Sequence, residues 1–243
     1  MSGLPKGWVK ATLGQVTTKI GSGATPTGGE QSYKASGIPL IRSLNVHFDG
    51  VRAEGLAFLD EMQAAKLNNV VVEADDVLLN ITGASIGRVA IAPRDYKGAR
   101  VNQHVSIIRL VQEVPSEYVR SFLASPAEQD VITRENYGAT RQALTKTMIE
   151  DFAFPLPPLA EQKRIVAKLD ALNAKSARAR TELARIETLV SRYKQAVLRS
   201  AFLGAMTSAW RAKRAGLQTA SDLIDRTPTP PQPKGGREAT DRV

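Results

Sequence analysis

Residues 160–202 read AEQKRIVAKLDALNAKSARARTELARIETLVSRYKQAVLRSAF, 43 residues without a proline or a glycine. Apolar or small residues recur in this run at alternating steps of four and three, which is the spacing of a heptad seam along one helix. The pattern predicts a coiled-coil-type helix over residues 160–203, about 65 Å long at roughly 1.5 Å per residue. The heptad seam consists of Ile165, Leu169, Leu172, Ser176, Ala179, Leu183, Ile186, Val190, Tyr193 and Val197.

The heptad seam needs a partner, because a narrow apolar stripe of this length is stable only when it is buried. No other segment is long or periodic enough to cover it, so we expect a second copy of this chain. In an antiparallel pair centred near Thr181, the small Ala179 faces the large Leu183, and Ser176 faces Ile186. A parallel pair would place small residues opposite each other and leave a gap. The sequence therefore favours an antiparallel homodimer.

The first 150 residues have a different character, with short apolar runs separated by glycine, proline and asparagine. Helices are predicted over residues 60–67, capped by Asp60, and over residues 116–124, capped by Ser116 and ended by Ser125-Pro126. We predict an α+β fold with a mixed sheet over residues 1–154. Five runs have the composition of β-strands, namely Ile38 to Ile41, Val70 to Val72, Val77 to Ile81, Arg88 to Ala92 and Val105 to Leu110.

The proline-rich stretch PLPP at residues 155–158 marks a boundary. Prolines lack the backbone donor that helices and sheets need, so we expect an extended linker over residues 155–159. The linker separates the mixed-sheet domain from the long helix. Residues 204–243 include TPTPPQPKGG and are expected to form a partly ordered to disordered tail.

The charge balance points to a polyanionic partner. The chain of 243 residues holds 33 Lys and Arg against 24 Asp and Glu, a net charge of +9. Residues 1–150 hold 16 basic and 15 acidic side chains, whereas residues 151–243 hold 17 and 9. Such a field attracts nucleic acid, although a long solvated helix also carries Lys and Arg on its outer faces.

The absence of cysteine excludes whole classes of site. A disulfide scaffold, a thiolate metal site and a cysteine nucleophile are all ruled out. No run approaches 18 apolar residues, and the first ten residues lack the apolar core of a signal peptide. We therefore expect a cytoplasmic protein with no membrane partner.

Residues 137–168 read YGATRQALTKTMIEDFAFPLPPLAEQKRIVAK. This stretch closely resembles the hallmark at the end of a target-recognition domain in the specificity subunits of type I restriction-modification systems. Further matches lie upstream in the order that those domains show, at Gly7-Trp8, Gly23-Ala24-Thr25-Pro26, Gly37-Ile38-Pro39, Asp76-Val77-Leu78-Leu79, Ile86-Gly87-Arg88 and Val101-Asn102-Gln103-His104.

The resemblance implies a half-length form, since such subunits usually carry two recognition domains and two long helices and this chain has one of each. It implies a non-catalytic subunit in which two copies read a gapped, palindromic site in double-stranded DNA. Its other partners would be modification (methyltransferase) subunits and restriction or translocase subunits. No cofactor is expected on this chain, because S-adenosylmethionine would bind to the modification subunit.

Candidate DNA-binding residues lie in turns between the predicted elements. Arg, Asn and Gln side chains can read base edges, while hydroxyls and amides hold phosphates. The same residues also shape turns, and Arg141 could pair with a carboxylate or a phosphate instead of a base. His104 is expected to be structural. The candidates are Ser22, Thr25, Thr27, Arg42, Ser43, Asn45, Asn80, Thr82, Ser85, Arg88, Asn102, Gln103, Tyr137, Arg141, Gln142 and Thr145.

Catalytic alternatives find little support in the sequence. Pro157-Pro158 follows Leu156, which lacks the side-chain carbonyl that an amino-methyltransferase uses to orient its target nitrogen. Glu161 and Lys163 could suggest a nuclease with Asp151, but they lie in the first turn of a long helix, where Glu is favoured. Outside the enzyme classes, the alternative is a basic coiled-coil scaffold protein that reads no DNA.

Overall fold

The computed structural model of the chain describes residues 3–137, 143–216 and 219–226. The chain divides into two units, residues 1–175 and residues 176–243. The strands are β1 (Val9–Thr12), β2 (Thr17–Ser22), β3 (Ile38–Ile41), β4 (Val46–His47), β5 (Gly50–Val51), β6 (Ala57–Leu59), β7 (Val77–Asn80), β8 (Val89–Ile91), β9 (Arg100–Val101), β10 (Val105–Leu110) and β11 (Ala153–Leu156). The α-helices are α1 (Glu61–Ala65), α2 (Ser116–Leu123), α3 (Pro126–Tyr137), α4 (Lys146–Glu150), α5 (Leu159–Phe202), α6 (Ser208–Ala212) and α7 (Ala220–Arg226).

The first unit is built on a four-stranded antiparallel sheet in the order β2-β10-β7-β8. A three-stranded sheet, β6-β3-β9, pairs β3 with β9 in parallel, so the α+β prediction with mixed strands is confirmed. Four of the five predicted strands are present as β3, β7, β8 and β10. The predicted strand at 70–72 is wrong. Val70 ends a 3-10 turn, Val71 forms only an isolated antiparallel bridge with Arg100, and Val70 and Val72 are buried as core residues.

Both faces of the four-stranded sheet are covered, because successive side chains of a strand point to opposite faces. Leu78 on β7 faces one core, while its neighbours Val77 and Leu79 face the other. The first core packs against α2, α3, α4 and β11, through Val119, Leu123, Ile132, Ile149 and Phe154. The second core packs against the three-stranded sheet, through Leu40, Ile41, Leu59 and Val101.

The helices of this unit agree only in part with the sequence prediction. Asp60 caps α1 as expected, since its Oδ1 accepts a hydrogen bond from the Gln63 amide at 2.8 Å. Ser116 is the first residue of α2 instead of its cap, and its hydroxyl donates to the Asp75 carbonyl. Helices α3 and α4 were not expected. Pro126 ends the pattern of α2 but begins α3, because a helix start does not need the missing N–H.

The stretch expected as a linker takes part in the fold. Pro155 and Leu156 belong to β11, which pairs with β1, and the Tyr118 hydroxyl donates to the Pro155 carbonyl at 2.7 Å. A proline is tolerated there because a two-stranded sheet has only edge strands. The buried Gln162 amide donates to the Pro157 carbonyl at 2.8 Å, so the start of α5 is attached to the same unit.

Helix α5 runs for 44 residues, in agreement with the heptad pattern. Its early residues Ile165 and Val166 pack against the first core. In the second unit, Leu183 is 64% exposed, Ile186 is 52% exposed, and the small residues of the heptad seam are also exposed. Within the described part of the chain, no helix combines the length and apolarity that a membrane crossing requires.

Candidate nucleic-acid interface

Five loops of the first unit meet at one end of its sheets, which we call the loop end and define as residues 22–27, 42–45, 81–88, 102–104 and 143–145. The strand register explains why they meet. Strands β2, β3, β7 and β9 finish at this end, where β8 and β10 begin, with Val105 opposite Asn80 and Ser106 opposite Ser22. Candidate residues that lie far apart in the sequence, such as Thr25, Thr82 and Gln103, therefore come from loops at the same end of the sheets.

Backbone hydrogen bonds join these loops directly. The Ile81 amide donates to the His104 carbonyl at 3.0 Å, and the Leu144 amide donates to the Ile81 carbonyl at 2.9 Å. The Gly23 amide donates to the Asn102 carbonyl at 3.1 Å. A Cβ atom on Gly23 would lie 1.7 Å from the Val101 carbonyl oxygen, so this close approach requires glycine.

A chain of side-chain hydrogen bonds crosses three of the loops. The Thr25 hydroxyl donates to the Gln103 Oε1, and the Gln103 Nε2 lies 3.0 Å from the His104 Nε2. The other ring nitrogen of His104, Nδ1, contacts the Thr82 hydroxyl. These contacts hold the exposed Gln103 amide in place. An amide with a free donor and a free acceptor is the group that pairs with the adenine edge in a major groove.

A cleft of about 400 Å³ opens beside this chain of hydrogen bonds. The buried Asn80 supports its wall, because its Nδ2 donates to the Ser43 carbonyl at 2.8 Å and to the Ser85 hydroxyl at 3.1 Å. Three lining residues were missed by the sequence reasoning, since Leu44, Gly83 and Ala84 carry no polar side chain that would single them out. The lining residues are Ser43, Leu44, Thr82, Gly83, Ala84, Ser85, Arg88 and His104.

Two candidates from the loop after β3 are engaged within the protein. The Arg42 guanidinium donates to the Glu30 carboxylate and to the Gly55 carbonyl, each at 2.7 Å, and lies over the Tyr33 ring. Asn45 is fully buried, and its side chain bonds to the backbone of Arg42 in its own loop and of Arg52 and Glu54 after β5. Neither side chain is available to an outside ligand without breaking these contacts.

The remaining candidates for DNA binding that the structure describes lie outside the cleft and outside the chain of hydrogen bonds beside it. The Thr145 hydroxyl caps α4 by accepting from the Met148 amide at 3.2 Å. Asn102 is buried, and its Oδ1 accepts from the His104 amide. Ser22 ends β2, and Thr27 is exposed in the following loop. Two candidates, Arg141 and Gln142, lie outside the described residues, as does the side chain of Tyr137.

The opposite end of the four-stranded sheet is held by a buried ion pair. Asp76 accepts from Nε and Nη2 of Arg109 at 2.8 and 2.9 Å, and Glu73 binds the Nη1 of the same guanidinium. The hydrogen bonds that Arg109 donates to Asp76 raise the pKa of Arg109 above its ordinary value. The guanidinium of this cluster is paired with two carboxylates of its own unit, so it contrasts with Arg88 in the cleft at the loop end.

Comparisons with known proteins agree with this architecture. The profile of the type I restriction modification DNA specificity domain matches residues 5–188. The EcoKI specificity subunit of Escherichia coli (strain K12) is 26% identical over 219 residues, 86% of this chain and 45% of that protein. The EcoBI specificity subunit of Escherichia coli is 26% identical over 215 residues, 84% of this chain and 44% of that protein.

Two solved structures share the fold. A chain from a type I restriction-modification system superposes with a TM-score of 0.65 at 24% identity, covering 83% of this chain and 47% of that one. The HsdS subunit of Thermoanaerobacter tengcongensis gives a TM-score of 0.61 at 24% identity, covering 84% and 46%. This chain therefore spans about half the length of the relatives that it matches.

Proposed function

The chain belongs to the family of type I restriction modification DNA specificity domains, and on that basis we propose that it recognises a DNA sequence through the loop end of its first unit. The observation that carries this proposal is the convergence of five loops with amide, hydroxyl and guanidinium groups on one end of the sheets. Gln103 offers an amide for a base edge, and Arg88 offers a cation. The chain acts as a recognition subunit and leaves catalysis to its partners.

We propose further that two copies pair through α5 in antiparallel orientation. The exposed heptad seam between Leu172 and Tyr193 supports this pairing, because a second copy would bury it with large residues opposite small ones. A twofold axis through Thr181 then relates two loop ends. A protein with that symmetry reads the same half-site twice in inverted orientation, so the recognised sequence is a gapped palindrome.

The modification subunits complete the proposed assembly. Residues 1–150 are nearly neutral, with 16 basic and 15 acidic side chains, so few cations are left to neutralise DNA phosphates. Phosphate neutralisation usually supplies much of the affinity for DNA. We therefore assign most of the affinity to methyltransferase subunits, which hold S-adenosylmethionine, while this chain supplies the sequence preference. Restriction or translocase subunits would join the same complex.

Selection from a random duplex library tests the proposal. The full chain is mixed with its modification subunit, bound duplexes are recovered over a salt series, and the enriched sequences are read. Enrichment of one gapped palindrome that depends on this chain supports sequence recognition by a pair. The control uses the modification subunit alone. Binding without sequence preference would instead favour the scaffold alternative, in which a basic α5 binds an acidic partner.

A further inference from the structure

Arg88 differs from the other partly or fully buried arginines of the first unit. Arg42 and Arg109 donate to carboxylates, while Arg100 and Arg120 donate to backbone carbonyls. Arg88 is half-buried in the wall of the cleft, and its side chain has no hydrogen bond or ion pair among the described residues. It is thus a partly exposed guanidinium for which the described residues of its own unit supply no acceptor.

The guanidinium of Arg88 is available to an outside acceptor. It has five N–H donors and no acceptor, and it lines a cleft that a ligand can enter. The turn that presents Arg88 is specifically built. Gly87 adopts a φ of +83°, and its amide donates to the Asn80 carbonyl at 2.9 Å. The chain thus holds Arg88 at the cleft.

A second donor lies in the same cleft. Asn80 is fully buried and directs its Nδ2 at the oxygen of Ser85, at a distance of 3.1 Å. Because that oxygen accepts from Asn80, the Ser85 O–H is left to donate to another group. The lining of the cleft therefore includes both a cation and a hydroxyl donor, which is the combination that binds an oxyanion.

We propose that Arg88 and Ser85 together bind one backbone phosphate of the DNA, with Asn80 as the positioning residue for Ser85. The proposal rests on the proposed function and deepens it. A phosphate offers several oxygens and can accept from both donors at once. Arginine can also read guanine through O6 and N7, but that geometry uses the guanidinium alone and leaves Ser85 without a ligand.

A phosphate contact and a guanine contact by Arg88 make different predictions for DNA binding. A phosphate contact contributes equally on every sequence and releases counterions, so its loss lowers the salt dependence of binding. A contact to guanine contributes only on duplexes with that base at one position. Fluorescence anisotropy of the full chain with its modification subunit, on several duplexes over a salt series, separates them.

For Arg88→Gln we expect affinity to fall about 10- to 100-fold on the selected duplex and on mismatched duplexes alike. The slope of log K against log salt should decrease by about 0.9 for each chain bound. Arg88→Lys should retain most of the slope, because it keeps the charge. Ser85→Ala should weaken binding with little change in slope, since it removes no charge.

Arg94→Gln is the matched control. Arg94 is exposed in the turn after β8, at the opposite end of the four-stranded sheet, and its loss removes the same charge from the same unit. Affinity and slope should stay at the wild-type values. An unchanged slope for Arg88→Gln, or a loss confined to duplexes with guanine at one position, would overturn the phosphate assignment. A wild-type complex without sequence preference would instead refute the proposed function.

Discussion

Truncating one leucine of the heptad seam gives a sharp test of the antiparallel pair. Leu183 is 64% exposed in the single chain, so Leu183→Ala removes few contacts within it. Alanine is also at least as good a helix former as leucine. The helix content and the melting temperature of the first unit should therefore stay unchanged, while the association of two copies weakens.

The size of the effect follows from the exposed area. Burying a whole leucine side chain is worth about 1.5–3 kcal/mol, so covering the exposed two-thirds of Leu183 is worth about 1–2 kcal/mol. A twofold pair contains the contact between Leu183 and the Ala179 of the second copy twice. The dimer should lose about 2–4 kcal/mol, which raises its dissociation constant about 30-fold to several hundredfold.

Sedimentation equilibrium over a concentration series measures this constant. The control is Leu198→Ala on the same helix, because Leu198 is 57% exposed and lies outside the heptad seam. That variant should dimerise like the wild type. Equal dissociation constants for the two variants, or a wild-type chain that stays monomeric at tens of micromolar, would refute the antiparallel pairing.

Three further predictions concern the heptad seam and the first unit. The chain has no cysteine, so mixing Ala179→Cys with Leu183→Cys chains should give a disulfide-linked dimer on a non-reducing gel, whereas efficient linking of Ala179→Cys to itself would contradict the antiparallel register. Gly23→Ala should destabilise the first unit by more than about 2 kcal/mol in urea unfolding, while Gly21→Ala, whose Cβ has no atom within 4 Å, should be much milder. Asp76→Asn should cost about 3–5 kcal/mol in the same assay because it removes the buried carboxylate of the Arg109 ion pair and leaves only the more exposed Glu73, and a cost below 1 kcal/mol would show that the buried partner is not needed.

Local patterns were sufficient for the elements whose periodicity is strong. The spacing of apolar residues predicted α5 and the strands β3 and β10, because burial of one face or stripe imposes that spacing. The same reasoning failed at 70–72, where Val70 and Val72 fill a core and Val71 makes a single isolated bridge with Arg100 instead of a strand. It also missed α3, since a proline ends one helix and begins the next equally well.

The candidate site was predicted as types of residue, and their roles could not be sorted from the sequence. Arg42 and Arg88 are both arginines in turns, yet Arg42 is bound to Glu30 and Arg88 has no partner in the described part of the unit. Asn45 and Gln103 both carry amides, but one is buried and the other exposed. These differences in pairing and burial depend on which loops lie next to each other in the fold. A local sequence pattern does not predict which loops do so.

By itself the sequence determined the long helix, the apolar stripe along it, the fold class and the family. Each is a property of neighbouring residues or of a motif, so it is readable along the chain. Only the tertiary structure decided that Asn80 supports Ser85, that His104 joins Thr82 to Gln103, and that the proline-rich stretch is part of a sheet. The physical reason is that these contacts depend on how the strands pair, since the register sets β7 beside β10 and β1 beside β11 and so fixes where the loops between them lie.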